Sequence, residues 1–273
     1  MHRVYYKPGL GGDPICLEGD GIFASYGGGL RSHKWTRSTS SKGLYGTSLG
    51  IREADFEVFA MDADADALRR ACDADVESLS PGAICVDDTY SMRCYIVEST
   101  TQAAYRDHVA LSLKAVLLDP YWWSESRLYF PAGLDDSGLN YEHNFEHNYG
   151  HSSGKAYVDV TSLMGAQPKI TFYGPCTSPY VTIGGNRYQV NQQVLSDYSL
   201  VIDATSDTPS VTLYDQYGSA ESVFDKAVRT GGRGGGSYAF DPLPHGRLEV
   251  TWSGAFAFEL RWRERDTEPP WAR

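Results

Sequence analysis

Val181-Thr182-Ile183-Gly184-Gly185-Asn186-Arg187-Tyr188-Gln189-Val190 is the stretch that decides the fold. Two short runs rich in β-branched and aromatic residues flank a Gly-Gly pair. Glycine supplies the positive φ that a two-residue hairpin turn needs, so the stretch predicts strands at 180–183 and 187–190 joined by a tight turn. Outward from this hairpin the same grammar repeats. Strand-like runs fall at 156–160, 169–173, 199–203, 210–214, 237–240, 247–252 and 255–263. The last places Phe256, Phe258, Leu260 and Trp262 on one face and Glu259, Arg261 and Arg263 on the other. About nine short strands with turn signals every 8–12 residues predict a β-sandwich over 155–273.

Upstream, residues 109–118 form the clearest strand of the first half. Val109, Leu111, Leu113, Ala115 and Leu117 share one face, and Asp119-Pro120 ends the run. Runs at 15–24 and 30–37 are strand-like, 38–46 is a polar loop, and Asp55-Phe56-Glu57-Val58-Phe59 alternates with the period of a half-buried strand. One helix is expected over 63–77. Asp62 would cap it, Asp64 and Asp66 would favour its N-terminal dipole, and Leu68, Cys72 and Val76 recur at four-residue spacing. A hairpin follows, turning at Asp87-Asp88-Thr89. Residues 128–154 lack any apolar period and read as a connector. The expected organisation is therefore mainly β: a β-sandwich-like domain with one α-helix at 1–127, the connector at 128–154, and a C-terminal β-sandwich at 155–273.

The composition fits that class. Among 273 residues there are 28 Gly, 19 Tyr and 10 Phe, which suit turns and pleated, half-buried surfaces. Apolar residues make up 41% and charged residues 22%, which excludes a disordered chain. Thirty-five Asp and Glu stand against 24 Lys and Arg, net −11, a balance unfavourable to non-specific nucleic-acid binding. No stretch approaches the roughly 20 apolar residues of a membrane span. Met1-His2-Arg3-Val4-Tyr5 leads into Pro8-Gly9 with no apolar segment, so no signal peptide is expected. Cys16, Cys72, Cys85, Cys94 and Cys176 are odd in number, lack CxxC spacing, and read as reduced thiols of a protein made in a cytosol.

Several constellations bear on chemistry. His143-Asn144-Phe145-Glu146-His147 matches the H-x-x-E-H pattern of one class of zinc peptidase, and His151 adds a third imidazole. On a helix these histidines would share a face, with Glu146 activating a water. The surrounding Asn, Tyr and Gly are poor helix formers, so a solvated connector is the plainer reading. Gly231-Gly232-Arg233-Gly234-Gly235-Gly236 lacks the Gly-Lys-Ser/Thr ending of a phosphate loop and reads as a flexible loop. His245 follows Pro244 in a turn with no evident nucleophile. Asp135-Asp136 and Asp87-Asp88 read as turn residues rather than a glycosidase pair. Tyr173, Tyr180, Tyr188, Tyr198, Tyr214, Tyr217, Tyr238 and Trp252 could furnish a sugar platform on a sandwich. Strand periodicity explains most of them as core or sheet surface. No catalytic, cofactor-binding or metal-ligating residue is therefore assigned.

The order of parts carries a resemblance. A strand exit at Asp119-Pro120-Tyr121-Trp122-Trp123 is followed by a Tyr/His/Asn/Gly-rich connector. The hairpin at 181–190, the strand end Leu200-Val201-Ile202-Asp203 and the closing Phe258-Glu259-Leu260-Arg261-Trp262-Arg263-Glu264-Arg265 come after it. Together they resemble the distal tail protein (Dit) family of phages and prophages with long non-contractile tails, over nearly the whole chain. The resemblance implies a ring-forming N-terminal belt domain and a C-terminal galectin-like β-sandwich. It implies a homohexameric ring at the virion tail tip, assembled in the bacterial host cytoplasm. That ring would join the tail tube to the tip or baseplate proteins and leave a channel for the tape-measure protein and DNA. Such a protein is a virion structural component, not an enzyme, and needs no cofactor. Some members carry inserted carbohydrate-binding modules; this chain is too compact for one. An acidic ring lumen, past which DNA slides, is a further expectation from the net charge. The competing readings are a carbohydrate-binding sandwich for host adhesion and, less favoured, a zinc hydrolase centred on His143, Glu146 and His147.

Overall fold

The computed structural model describes residues 3–25, 29–133, 156–206 and 208–269. These form two compact units. The first runs up to Ser124 and includes the chain from Arg265 onward; the second is Glu125–Glu264.

The first unit holds β1 (Val4–Lys7), β2 (Ile15–Cys16), β3 (Ile22–Ser25), β4 (Thr36–Ser40), β5 (Gly43–Ser48) and β6 (Arg52–Met61). α1 (Asp62–Glu77), β7 (Gly82–Val86), β8 (Tyr90–Ala104), β9 (His108–Leu117) and the start of β10 (Trp122–Phe130) follow. Antiparallel pairing runs β1–β7–β8–β9–β6–β3. The segment after β2 joins the two ends. Leu17 N–H donates to Val4 O at 2.8 Å, and Ala24 N–H donates to Leu17 O at 2.9 Å. The sheet thereby closes on itself as a small barrel, which removes the unpaired edges of an open sheet. Its interior is apolar: Ala54, Phe56, Val58 and Ala60 alternate inward from β6 and meet Leu111, Leu113, Ala115 and Leu117 from β9. Leu68 and Cys72 of α1 pack into the same core.

Asp62 is not the helix cap. β6 runs straight into α1, so Met61, still in extended conformation, occupies the cap position and makes no side-chain cap bond. Asp62 and Asp64 sit in the first turn instead and act through the helix dipole. The segment expected as a polar loop at 38–46 is mostly a second hairpin, β4–β5, and of 30–37 only its last two residues are strand.

The second unit follows the strand spacing closely. It contains β11 (Ala156–Val160), β12 (Ala166–Tyr173), β13 (Cys176–Thr177), β14 (Tyr180–Ile183), β15 (Asn186–Gln189) and β16 (Gln193–Val194). After these come β17 (Ser199–Asp203), β18 (Ser210–Tyr214), β19 (Ala220–Ser222), β20 (Arg229–Thr230), β21 (Ser237–Tyr238), β22 (Gly246–Trp252) and β23 (Phe258–Asp266). One sheet pairs β19–β18–β17–β12–β23 and the other β11–β22–β14–β15. Gly184 and Gly185 take φ 55° and 87°, the positive values the β14–β15 turn demands. Ile170, Phe172, Leu200, Ile202, Phe258 and Leu260 from one sheet face Val158, Val181, Ile183, Tyr188 and Val250 from the other, all buried. Each contributes about 1.5–3 kcal/mol of burial, which makes this contact the sandwich core.

Candidate interaction surfaces

His143, Glu146, His147 and His151 lie outside the described residues, as do Asp135 and Asp136. Among the described residues no cluster of His, Cys, Asp and Glu is arranged to hold a metal ion. Asp87 and Asp88 both adopt positive φ (53° and 56°) and are the central residues of the turn between β7 and β8, closed by Thr89 N–H donating to Val86 O at 3.1 Å. Asp87 Oδ1 accepts from Arg3 N–H at 2.8 Å and Asp88 accepts from the Tyr5 hydroxyl, so both carboxylates serve the turn. The glycine run links β20 to β21, and Gly234 N–H donates to both Asp241 carboxylate oxygens at 3.2 and 3.0 Å. A loop whose amide already faces a carboxylate is a poor phosphate cradle. His245 is exposed.

The aromatic residues of the sandwich go largely into packing. Tyr188 is fully buried and its hydroxyl donates to Asp241 O at 2.8 Å. Trp252 packs edge-on against Phe130 and Phe258, and Tyr238 against Phe240. Tyr180 lies beneath the Arg187 guanidinium at 3.8 Å. Tyr214 and Tyr217 remain exposed. The thiols are quiet: burial pushes Cys72 up to about 12 and Cys176 up to about 11, and raises Cys85 and Cys94 as well. None of these four is a ready thiolate. A cleft of about 30 Å³ between Leu68 and Arg69 of α1 and Ile96 and Ser99 of β8 has room for about one water. A depression of about 230 Å³ beside Pro168, Pro209 and Arg233 is smaller than the roughly 300 Å³ of ordinary ligand pockets.

The surfaces of the first unit are more informative. Because β6 alternates, Glu53, Asp55, Glu57, Phe59 and Met61 all point outward from the barrel. Register then builds rows across neighbouring strands. Phe59 stands opposite Phe23 on β3 and Ala110 on β9, and Ala110 opposite Ala103 on β8. Met61 stands opposite His108, whose ring stacks on Tyr105 at 4.5 Å. Phe23, Phe59 and Met61 are 56%, 42% and 45% exposed, so this is an apolar band facing solvent. Beside it, Asp55 stands opposite Lys114, which stands opposite Glu98. Lys114 Nζ lies 4.0 Å from Glu53 and 3.7 Å from Glu98. Two carboxylates thus flank this ammonium, and Asp55 and Glu57 share the same outward side of β6.

The β4–β5 hairpin has the opposite character. Residues 31–52 carry Arg31, Lys34, Arg37, Lys42 and Arg52 and no Asp or Glu, in a chain of net charge −11. Every residue from 31 to 45 is exposed, including Leu44 (60%) and Tyr45 (73%) beside the turn. The base is held firmly. Leu30 is fully buried, Arg52 donates to Gly29 O at 3.2 Å, and His33 Nδ1 lies 2.9 Å from Glu268. A Cβ on Gly29 would come within 2.3 Å of Asp55 O, so only glycine lets the hairpin base approach β6 this closely. The cation run was readable from composition by window; the acidic rows needed the register.

No protein-family model matches the sequence, and no curated protein matches it. Solved structures do. A chain of the phage P2 baseplate in its activated conformation with calcium aligns with a TM-score of 0.57 at 10% identity, covering 98% of this chain and 100% of that one. The Dit protein of phage SPP1, described as a paradigm of the hub adsorption apparatus in phages infecting Gram-positive bacteria, aligns with a TM-score of 0.53 at 11% identity, covering 97% and 99%. The P2 baseplate with strontium aligns with a TM-score of 0.53 at 10% identity. The chain therefore has, from end to end, the fold of these phage baseplate and Dit chains.

Proposed function

We propose that the protein is a distal tail protein of the Dit family, a homohexameric ring that joins a phage tail tube to the tail-tip or baseplate proteins. The observation that carries this reading is the extent of the fold correspondence: 97–98% of this chain pairs with 99–100% of the phage chains. Both the barrel and the sandwich are included, with no large part left over on either side. A chance likeness of one β-sandwich to another would leave the barrel unmatched.

The role is structural rather than catalytic. In the ring the first unit supplies the belt and the second, which begins at Glu125 and so takes in the start of the stretch expected as a connector, supplies the galectin-like sandwich. The partners are copies of the chain itself, the tail tube protein, the tip protein and the tape-measure protein passing through the channel; specific nucleic-acid contacts are not required. The site of action is the virion tail tip, after assembly in the host cytoplasm. Cyclic assemblies of this kind repeat a heterologous contact by rotation. The purified chain is expected at six times 30.2 kDa by sedimentation or mass photometry, with six-fold rings in negative stain. A particle that stays at 30.2 kDa across the accessible concentration range would sink the ring.

A further inference from the structure

We infer that the β4–β5 hairpin of one copy docks on the outer barrel face of a second copy, over Phe23, Phe59, Glu53, Asp55 and Glu57. The inference rests on the ring reading and names the two surfaces that make the ring.

Charge is the first argument. The exposed segment 31–45 carries Arg31, Lys34, Arg37 and Lys42 and no anion, while the face formed by β6, β9 and β8 sets Glu53, Asp55, Glu57 and Glu98 around Lys114. In a chain of net charge −11, residues 31–52 are a stretch with cations and no carboxylate. Opposite patches on the same molecule attract between copies and orient the encounter. Apolar surface is the second argument. Leu44 and Tyr45 beside the hairpin turn are exposed, and so is the Phe23–Phe59 band that borders the carboxylates. A hairpin bearing cations at Arg37 and Lys42 and apolar side chains at Leu44 and Tyr45 complements an acidic field with an apolar border. Exposure along the hairpin means that it does not already cover this face within its own chain. The third argument is symmetry. Hairpin and face are different patches, so their contact is heterologous and repeats from copy to copy until it closes. An alternative occupant of a basic arm is nucleic acid, but the carboxylates beside it on the same unit oppose a phosphate backbone.

The full chain tests this by charge exchange, read as the concentration at half-assembly. Arg37→Glu with Lys42→Glu puts an acidic hairpin against an acidic face. Glu53→Lys with Glu57→Lys puts a basic face against a basic hairpin. Each double variant alone is expected to need at least roughly tenfold more protein to assemble, since like charges brought together at an interface cost several kcal/mol. An equimolar mixture of the two is expected to assemble as wild type, because each hairpin then finds a complementary face. All four substitutions are at exposed positions, and unchanged melting curves check that the variants fold. Wild-type rings with variants that assemble equally well would overturn the contact and leave the ring reading standing. Well-folded variants whose mixture fails to assemble would also overturn it. Loss of retention on duplex DNA in Arg37→Glu/Lys42→Glu, with assembly unchanged, would make the hairpin a nucleic-acid arm instead. A wild-type chain that never assembles removes both readings.

Discussion

Replacing Asp75 by alanine would remove the acceptor on which β1 and the turn after it converge. Asp75 is 1% exposed. Its carboxylate accepts from the Tyr6 hydroxyl at 2.5 Å, from Gly9 N–H at 2.9 and 3.0 Å, and from Leu10 N–H at 3.2 Å. Burial, reinforced by the bond to Asp75, pushes the Tyr6 phenol well above its ordinary range, so it remains a donor wherever the protein is folded. Alanine leaves three donors without this partner. An orphaned buried donor costs about 1–3 kcal/mol. Taking about 2 for the fully buried phenol and about 1 for each amide nearer solvent gives a loss of about 4 kcal/mol. For a unit of this size that lowers the melting temperature by about 10–15 °C. Asp75→Asn keeps one acceptor oxygen and should cost about half as much. Tyr6→Phe removes one donor and leaves the carboxylate its amides, so about 1–1.5 kcal/mol is expected. The double variant should fall short of the sum by about 1 kcal/mol, because the two side chains share one bond. Denaturant unfolding measures the totals, and hydrogen exchange at Gly9 and Leu10 localises them. An Asp75→Ala variant within about 1 kcal/mol of wild type, or one whose Gly9 and Leu10 amides keep their protection, would refute the reasoning.

Gly82→Ala would destabilise the same corner by a different route, since its Cβ would stand 2.3 Å from the Tyr6 hydroxyl and 2.8 Å from Asp75 Oδ2; a melting curve unchanged from wild type would contradict this. In the sandwich, Phe258 is fully buried and stacks on Phe130 at 4.4 Å, so Phe258→Ala should cost about 3–5 kcal/mol and lower the transition of the second unit; a shift confined to the first unit would count against it. Glu259 provides a pH test. Its burial favours the neutral form, but hydrogen bonds from Arg261 and Arg127, and their charges, outweigh that and hold the carboxyl below its ordinary 4.5. A group depressed in the folded state stabilises fully above its unfolded value and loses that stabilisation as pH falls through the folded one. Stability should therefore drop below about pH 4.5, and Glu259→Gln should flatten that acid limb while lowering stability at pH 7.

The second unit was legible because its two faces obey different rules. Residues 156–160, 180–183, 199–203 and 210–214 are strands as their alternation predicts, and Gly184-Gly185 turns as its chemistry requires. The shortest pairings, such as Cys176–Thr177 with Gln193–Val194, left no trace, since two residues carry no period. In the first unit the β4–β5 hairpin escaped for a related reason: neither of its faces is buried, so no apolar alternation marks it. The barrel closure was illegible because it hangs on two backbone bonds at Leu17, and a strand-like run does not say which strands it will pair with. The outer face was half legible. The alternation of Asp55 to Phe59 put Asp55, Glu57 and Phe59 on one side, but only register with β9 and β3 assembled the rows.

The division of the chain also sets an order of events. The first unit is completed by residues from Arg265 onward, and these are synthesised only after the whole of the second unit. Glu268 then meets His33 at the foot of the basic hairpin, and Arg265 covers the Tyr121 ring at 5.1 Å. During vectorial synthesis the sandwich can therefore mature while the barrel still waits for its last segment. Nascent chains on one message would carry hairpins without a finished footing. If the hairpin joins copies as inferred above, that joining would wait until residue 268 has been made and has left the ribosome.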